Sequence, residues 1–269
     1  MSGQPSVILM GSKPGSVVAL ELLIQHNWDV RYVVVSRKMT HPWVQGPTLE
    51  EKAIEAGIKV VTQPQLPRDQ SVDFVLSYMF RYRVKRDVLE LADRAALNFH
   101  AGPLPEFGGW AFYSVAIMEQ ATQYGCTCHY MDEGFDTGPI LKVRRFDVDT
   151  SQHTAVSLES LAQKEMVLLF SDFLSLVKND HALPKTQQDT SKMRYMTREE
   201  FERLKCIPAG ASCEVVERTA RAFWYPPYQG AYIDFGGTRV NVVPRIASER
   251  LAALYHSNDL EELRRVVSL

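Results

Sequence analysis

Val7-Ile-Leu-Met10 is a continuous apolar run, and the turn Gly11-Ser-Lys-Pro-Gly-Ser16 follows it. Apolar residues at helical spacing come next, namely Val17, Leu20, Leu23 and Ile24. A continuous apolar run like the first one is typical of a strand that is buried on both faces. A second apolar run, residues 30–35, follows this helical pattern. Strand, helix and strand in this order indicate a parallel sheet with crossover helices, so residues 7–35 predict an α/β fold.

The chain continues this alternation as far as residue 177. Apolar and alternating runs predict further strands at residues 58–61, 74–76, 95–97, 126–131 and 140–148. Helical patterns predict helices at residues 48–57, around residues 87–93, and at residues 111–121 and 154–177. The helix at 48–57 should begin with a capping box formed by Thr48 and Glu51 and end at Gly57.

A polar stretch punctuated by prolines separates this region from a smaller one. We therefore predict an N-terminal domain at residues 1–178, a linker at 179–207 and a small C-terminal α+β domain at 208–269. The C-terminal domain should contain a helix at residues 214–223, two strands flanking Gly236-Gly237, and charged helical segments up to Leu269.

Composition excludes several classes of protein. The chain has 269 residues, is 45% hydrophobic and carries 30 Lys and Arg against 32 Asp and Glu, a formal charge of −2. This is typical of a packed globule, and it gives no basic excess for binding nucleic acid. Without a signal-like start or a run of roughly 18 apolar residues, we expect a cytoplasmic protein with no membrane partner. We interpret the four cysteines as reduced, and we expect no metal site.

The turn after the first strand does not match a nucleotide-binding motif. Gly11-Ser-Lys-Pro-Gly-Ser16 is neither G-x-G-x-x-G nor G-x-x-x-x-G-K-[ST]. The start of the following helix could still bind an anion, and Lys13 could hold a phosphate by its charge. Asp136-Thr-Gly138 resembles half of an aspartic protease site, but that site needs two such triplets in an all-β frame.

Polar side chains gather where the strand at 95–97 ends. Asn98 and His100 should share one side of the chain, and two prolines and three glycines follow by residue 110. Asp136 lies in a glycine-bracketed loop after another strand. Each residue alone has a structural explanation, since a lone His is usually structural and an Asp before Thr-Gly is a common turn residue. Together they could supply an oxyanion donor, a proton acceptor and its orienting carboxylate.

Two stretches resemble the signatures of the 10-formyltetrahydrofolate-dependent formyltransferases. They are Asn98-Phe-His-Ala-Gly-Pro-Leu-Pro105 with Gly109, and Met131-Asp-Glu-Gly-Phe-Asp-Thr-Gly138. The resemblance implies a Rossmann-like, mostly parallel sheet with flanking helices. It also implies that Asn98 donates to the oxygen on which charge develops, that His100 takes a proton from the attacking amine, and that Asp136 positions His100 and assists proton delivery to the leaving folate nitrogen.

The same resemblance implies where the substrates bind. The co-substrate 10-formyltetrahydrofolate should contact Met79, Phe80, Arg81, Tyr82, Val84, Asp132 and Gly134. Candidate contacts for the acceptor are Ser12, Lys13, Gly102, Pro103, Trp224, Tyr225 and Tyr228. Arg37 and Lys38 follow the second strand and could meet a diphosphate together with Lys13. The aromatic residues at 223–228 could stack on a sugar or base, although packing explains them as well.

One departure from the family pattern bears on the acceptor. Enzymes that formylate methionyl-tRNA usually read S-L-L-P-x-x-R-G after the histidine, whereas this chain reads Gly102-Pro-Leu-Pro-Glu-Phe-Gly-Gly109 without the arginine. This is more similar to the nucleotide-sugar N-formyltransferases. The predicted acceptor is therefore the amine of a nucleotide-linked 4-amino-4,6-dideoxyhexose, such as GDP-perosamine or a dTDP-linked equivalent, used for lipopolysaccharide O-antigen and other surface polysaccharides.

Other functions stay open at this point. The chain could formylate methionyl-tRNA, glycinamide ribonucleotide or a hydroxyornithine-type amine, or it could deformylate the folate. A non-catalytic, Rossmann-like binding protein is the alternative from another class, and folate-dependent turnover would separate it from the enzymes. The predicted partners are a small-molecule nucleotide sugar and folate, and a homodimer is the expected assembly.

Overall fold

A computed structural model describes residues 4–36, 46–194, 196–250 and 252. The predicted diphosphate contacts Arg37 and Lys38 lie outside the described residues, as do nearly all of the charged helical segments predicted after residue 250. Among the described residues, no helix is long and apolar enough to cross a membrane.

A seven-stranded, mostly parallel sheet forms the centre of the fold. Its strands are β1 (Ser6–Gly11), β2 (Asp29–Val35), β3 (Val60–Val61), β4 (Val72–Tyr78), β5 (Ala92–His100), β6 (Gln123–Tyr130) and β7 (Ile140–Asp147). They lie in the order β3-β2-β1-β4-β5-β6-β7. The pairs β2–β3, β1–β2, β1–β4 and β4–β5 are parallel, and β5–β6 is antiparallel. The predicted α/β fold is confirmed.

Helices connect and cover these strands. They are α1 (Gly15–Gln25), α2 (Leu49–Glu55), α3 (Arg86–Leu89), α4 (Phe112–Met118), α5 (Ala155–Lys178), α6 (Arg198–Leu204) and α7 (Cys213–Ala222). The predicted capping box is present at α2, where the side chains of Thr48 and Glu51 each accept from the other residue's backbone N–H. Gly57, with φ of +71°, follows the end of that helix.

Several predicted elements differ from the structure. The helix expected around residues 87–93 is shorter, because α3 ends at Leu89 and Ala92 already begins β5. β5 extends through His100, so Asn98 and His100 lie within the end of the strand and do not follow it. The predicted linker contains α6, which has a Thr197 cap but no buried residue. A helix without a buried face gives no apolar periodicity to detect.

The chain forms two compact units that interleave along the sequence. Unit 1 comprises residues 1–109, 124–146 and 161–195, and unit 2 comprises residues 110–123, 147–160 and 196–269. Unit 2 contains α4, α6, α7 and the antiparallel hairpin of β8 (Tyr232–Phe235) and β9 (Thr238–Asn241). A small α+β part is thus present as predicted, whereas the division at residues 178 and 208 stays a prediction.

The core of unit 1 lies on both faces of the sheet. On one face, Trp28, Phe74 and Phe173 pack ring against ring, with the centroids of Phe74 and Phe173 5.6 Å apart. On the other face, Val75 belongs to an aliphatic cluster with Val84. Because successive strand residues point to opposite faces, the neighbours Phe74 and Val75 anchor the two halves of the core. Both packed faces fix the strand ends that carry the polar residues.

Candidate active site

Asn98, His100 and Asp136 come together at the carboxyl end of β5. The Nδ2 atom of Asn98 lies 3.4 Å from Oδ1 of Asp136, and Nδ1 of His100 lies 3.6 Å from Oδ2 of the same carboxylate. The side chains of His100 and Asp136 are only 7% and 11% exposed. The carboxyl edge of a parallel sheet is where α/β proteins bind ligands. The structure thus brings together the three residues that the sequence predicts as a set.

A hydrogen bond to the backbone fixes the orientation of the His100 ring. Its Nε2 lies 2.7 Å from the backbone carbonyl oxygen of Phe107. A carbonyl oxygen only accepts hydrogen bonds, so Nε2 carries a proton and Nδ1 is the atom turned towards Asp136. Gly102 makes this contact possible, since a Cβ there would lie 2.6 Å from the Phe107 oxygen and 2.7 Å from Nε2. Nδ1 is therefore the atom of this ring that can exchange a proton at the site.

Asp136 is held by bonds to both its side chain and its backbone. Its Oδ2 accepts the backbone N–H of Gly109 at 2.9 Å, and its carbonyl oxygen accepts from Nε2 of Gln188 at 2.9 Å. Its backbone is left-handed, with φ of +57°. Aspartate is one of the few residues other than glycine that tolerates this conformation. The loop thus presents the carboxylate in one defined position.

The carboxylate of Asp136 stays ionised despite its burial. Burial disfavours the charged form, but positive charge on His100, the hydrogen bond and charge of His129, and the Gly109 N–H outweigh that cost and hold the pKa of Asp136 well below its ordinary value. A fixed negative charge beside Nδ1 can stabilise positive charge on the ring. The site can therefore stabilise a histidine that has accepted a proton.

Asn98 is oriented by its neighbours on both sides. The hydroxyl of Ser77 on β4 donates to Oδ1 of Asn98 at 2.7 Å, which leaves the amide nitrogen turned towards Asp136 and His129. The carboxylate of Asp136 can only accept, so the nitrogen and not the oxygen must face it. Asn98 can thereby present an N–H donor at the site.

His129 is a fourth polar residue of the site, and the sequence analysis missed it. Its Nε2 lies 3.1 Å from Nδ2 of Asn98 and 3.3 Å from Oδ1 of Asp136, while Nδ1 faces the carbonyl oxygen of Tyr130 at 2.8 Å. The antiparallel register of β5 and β6 places His129 directly opposite Asn98. The available signal was a histidine inside a predicted strand, but the position of its side chain beside Asn98 depends on the pairing of β5 with β6.

The residues predicted to contact folate lie on two loops of unit 1. Met79, with φ of +50°, begins the loop after β4, Phe80 packs against the aliphatic cluster, and Val84 is buried within that cluster. Arg81 and Tyr82 between them are exposed.

The second of these loops, residues 131–139, is stabilised by its own side chains. Oδ1 of Asp132 accepts from the Gly134 N–H at 2.9 Å and from the Thr137 hydroxyl at 2.7 Å. The guanidinium of Arg83 lies 5.9 Å from the centre of the Phe135 ring, so the loops meet. A folate contact at Asp132 and Gly134 stays a prediction, as it does for the residues of the other loop.

The turn that carries Ser12 and Lys13 does not offer the anion site suggested by the sequence. The Gly15 N–H donates to Oε1 of Gln163 at 3.0 Å, and the amides of the next two residues donate to the carbonyl oxygens of Lys13 and Pro14. An anion needs these amides, so the start of α1 is closed to one. Ser12 shares a hydrogen bond with Ser36 at 3.2 Å. Only the charge of Lys13 remains as a reason to expect a phosphate here.

Gly102 and Pro103 lie in the loop that supports His100. The hydroxyl of Thr127 on β6 donates to the carbonyl oxygen of Gly102 at 2.8 Å and accepts the Leu104 N–H at 2.9 Å. The carbonyl oxygen of Pro103 accepts a hydrogen bond from the backbone N–H of Phe107. These bonds show how the loop is anchored, and a contact with the acceptor stays a prediction.

Trp224, Tyr225 and Tyr228 belong to unit 2. The hydroxyl of Tyr225 donates to the carboxylate of Glu159, and its ring lies 6.1 Å from that of Tyr228. The carbonyl oxygen of Trp224 accepts from the Val156 N–H at 3.3 Å. Tyr225 and Trp224 thus have structural roles in unit 2, while Tyr228 is 55% exposed.

Comparison with known sequences identifies the family that the central part of this chain matches. Residues 50–172 match the family described as formyl transferase, a span that contains the whole polar cluster and both loops. These residues therefore match the formyl transferase family, and the resemblance seen in the sequence is confirmed. The methionyl-tRNA formyltransferase of Ehrlichia ruminantium (strain Gardel) is 25% identical over 272 residues, which cover 96% of this chain and 83% of that relative.

Solved structures share the fold. A 4-N formyltransferase from Francisella tularensis aligns with a TM-score of 0.72 and 20% identity over 89% of this chain and 96% of that one. An N-formyltransferase from Helicobacter canadensis, solved with folinic acid and dTDP-3-aminofucose, aligns with a TM-score of 0.71 and 21% identity over 87% of this chain and 85% of that one. The α/β formyltransferase fold thus extends over most of this chain.

Proposed function

We propose that this protein transfers a formyl group from 10-formyltetrahydrofolate to the amine of a nucleotide-linked amino sugar. The observation that carries the proposal is the meeting of an amide donor, an imidazole nitrogen and an ionised carboxylate at one buried strand end. Transfer of an acyl group to an amine needs these three functions within reach of one carbon.

Each side chain has a separate task in this proposal. Bound 10-formyltetrahydrofolate supplies the formyl carbon that the amine attacks. The Asn98 N–H donates to the formyl oxygen as negative charge develops there. Nδ1 of His100 accepts the proton that the amine loses, and Asp136 stabilises the imidazolium that results. The same proton is then available for the folate nitrogen that leaves.

The positions of the two loops beside the cluster support the assignment of folate to them. β4 and β5 pair in register, with Ser77 opposite Asn98 and Tyr78 opposite Phe99, so the loop that begins at Met79 lies directly beside Asn98. A pterin is a flat ring with donors and acceptors on its edge, and this loop supplies backbone amides, carbonyls and the Phe80 ring. Folinic acid, a close chemical relative of 10-formyltetrahydrofolate, is bound in the Helicobacter canadensis structure.

The choice of a sugar nucleotide rests on three observations. The formal charge is −2, the loop after His100 has no arginine, and the structural neighbours of this chain include the Helicobacter canadensis N-formyltransferase, which was solved with dTDP-3-aminofucose. A transfer RNA offers many phosphates, and proteins that bind one normally carry matching cations. A nucleotide sugar needs only a few cationic donors and a stacking surface. The specific sugar we propose is a 4-amino-4,6-dideoxyhexose linked to GDP or dTDP.

Methionyl-tRNA is the second candidate acceptor, because the Ehrlichia ruminantium relative carries that name. The test is formylation of GDP-perosamine, its dTDP-linked equivalent and charged initiator tRNA at equal concentrations, at low and at physiological salt. We expect turnover of a sugar with little salt dependence. Turnover of the tRNA alone, falling steeply with salt, would overturn the sugar assignment and leave the formyltransferase assignment standing.

The biological setting follows from the proposed acceptor. A formylated nucleotide sugar is a donor for surface polysaccharide, including lipopolysaccharide O-antigen, and such donors are made in the cytoplasm. We also propose a homodimer, which sedimentation of the purified protein would test.

A further inference from the structure

Gln63 lies far from the catalytic cluster in sequence and is buried beneath the loop that begins at Met79. It belongs to the short 3₁₀ turn Gln63–Gln65 after β3. Its Nε2 donates to the carbonyl oxygen of Arg83 at 3.0 Å, and its Oε1 accepts the Lys85 N–H at 3.0 Å. One carboxamide thus pairs with the carbonyl and the amide of alternate residues, as the backbone of a neighbouring strand would do.

These two bonds close the far end of the loop. At the near end, the Met79 N–H donates to the carbonyl oxygen of Phe99 at 3.2 Å, which ties the loop to β5. Between the two anchors, Arg81 and Tyr82 are exposed. Exposed loop residues supply little packing energy of their own, so the anchors, together with the packing of Phe80 and Val84, determine how much of the time the loop is ordered.

The turn that carries Gln63 is itself fixed to the helix after the loop. Arg68 donates through Nε to the carboxylate of Asp87 on α3 at 2.8 Å and through Nη2 to the carbonyl oxygen of Gln63 at 3.0 Å. Asp87 lies in the first turn of α3, the helix that begins directly after Lys85. The backbone and the side chain of Gln63 are therefore both held against the segment that they support.

We propose that Gln63 is a positioning residue for folate, which holds the loop from Met79 to Val84 in the shape that binds the pterin. The inference rests on the proposed function, because that function assigns the loop to folate. When only a fraction of the molecules has the loop in its binding shape, the apparent dissociation constant rises in inverse proportion to that fraction. Gln63 acts through the loop and does not touch the reacting atoms.

The test is calorimetric titration of folinic acid, which needs no acceptor. Gln63→Met keeps most of the side-chain volume and removes both hydrogen bonds. Gln65→Met is the matched control, because Gln65 is exposed in the same turn and its side chain bonds Thr62 and neither end of the loop. We expect Gln63→Met to weaken folinic acid binding at least tenfold, and Gln65→Met to change it less than twofold. Binding within twofold of wild type in Gln63→Met would overturn the inference alone, whereas no binding by wild type would overturn the folate proposal as well.

A second variant separates positioning from a loss of folding. In Gln63→Glu, a protonated carboxyl has one donor and one acceptor and can make both bonds, while a carboxylate cannot donate to the Arg83 oxygen. Burial favours the protonated form. The ratio of the variant's dissociation constant to that of wild type should therefore fall towards one between pH 8 and pH 5. A ratio that stays at one throughout, or that rises as the pH falls, would contradict the role of the Nε2 bond.

Discussion

The turn after β1 and the loop after β5 both contain glycine and both lie at the carboxyl edge of the sheet, but only the loop after β5 forms part of the candidate active site. In the turn after β1, the backbone amides at the start of α1 already have protein partners. The Gly15 amide donates to Gln163 on α5, and the next two amides donate to carbonyl oxygens of the turn. The loop after β5 uses its glycine differently. Gly102 lets the Phe107 carbonyl reach His100, and the ring then faces Asp136.

The comparison shows what separates a structural turn from a functional one at equivalent positions. In the first turn the polar groups satisfy each other, which stabilises the start of α1 and leaves its amides unavailable to a ligand. In the second, the backbone carbonyl of Phe107 orients the His100 ring and the backbone N–H of Gly109 holds the Asp136 carboxylate, so that Nδ1 of the ring faces that carboxylate. A polar residue at a strand end becomes a candidate for chemistry when its neighbours orient it towards other polar side chains.

The strongest test of this comparison removes the donor at the second turn. Asn98→Ala should lower kcat by a factor of a hundred or more, because losing one oxyanion donor costs on the order of 3 kcal/mol of transition-state stabilisation. Steady-state kinetics with 10-formyltetrahydrofolate and a nucleotide amino sugar would measure it. A kcat within fivefold of wild type would mean that the β5 loop is no more catalytic than the β1 turn.

Matched glycine substitutions sharpen the same comparison. At Gly102, a Cβ would push on the His100 ring, so Gly102→Ala should lower kcat about tenfold or more at temperatures where the variant is folded. At Gly15, a Cβ would lie 2.8 Å from both Gln163 Oε1 and the Tyr78 ring. Gly15→Ala should therefore lower the free energy of unfolding, by about 1–3 kcal/mol, with kcat nearly unchanged. Equal losses of kcat in the two variants would remove the distinction between the turns.

The charge of Asp136 should change how the free energy of unfolding depends on pH under acid conditions. Its pKa is lower in the folded protein than the roughly 3.9 of an unfolded chain. Ionisation therefore contributes stability above that pH, and the contribution is lost as the pH falls through the folded-state value. Urea unfolding should show wild type more stable than Asp136→Asn at pH 5, with the difference narrowing towards pH 3. A difference that widens on acidification would show that the carboxylate is not stabilised by its neighbours.

The smallest effect is expected at the β1 turn itself. With the amides of α1 already bonded, Lys13 can assist a diphosphate only through the charge of its side chain. An exposed ionic contact contributes about 0.2–1 kcal/mol, so Lys13→Ala should raise KM for the nucleotide sugar at most about fivefold and leave kcat unchanged. A loss of kcat comparable to that of Asn98→Ala would mean that this turn takes part in the chemistry.

Much of the fold could be predicted from local sequence, and the exceptions have identifiable causes. The buried strands β1, β2 and β4 have apolar runs, and α2 has both of its end signals. The start of β5 is the partly exposed Ala92-Asp-Arg94, which gives neither an apolar run nor a strand alternation. For α6, all residues are exposed or half-buried, so no periodicity marked it within the polar stretch.

The residues of the candidate site also divide into those with a local sequence signal and those without one. Asn98, His100 and Asp136 were identified because each is a polar residue at a strand end or in its loop, within motifs of known spacing. Ser77 and His129 were missed because their importance comes from pairing between strands, Ser77 with Asn98 across β4 and β5, and His129 with Asn98 across β5 and β6. Likewise, Gln63 contacts residues 20 and 22 positions away, and nothing local predicts that. Long-range register is the information that one sequence does not contain.

The most direct test of the central claim is acceptor-dependent release of tetrahydrofolate from 10-formyltetrahydrofolate, measured with wild type and with His100→Asn. Asparagine at this position cannot accept the proton of the attacking amine, so kcat/KM should fall by at least about a hundredfold, the usual scale for loss of a general base. We predict release that requires GDP-perosamine or its dTDP-linked equivalent in wild type and is lost in the variant. Equal rates of acceptor-dependent release in wild type and His100→Asn would contradict the assignment of the chemistry to this cluster.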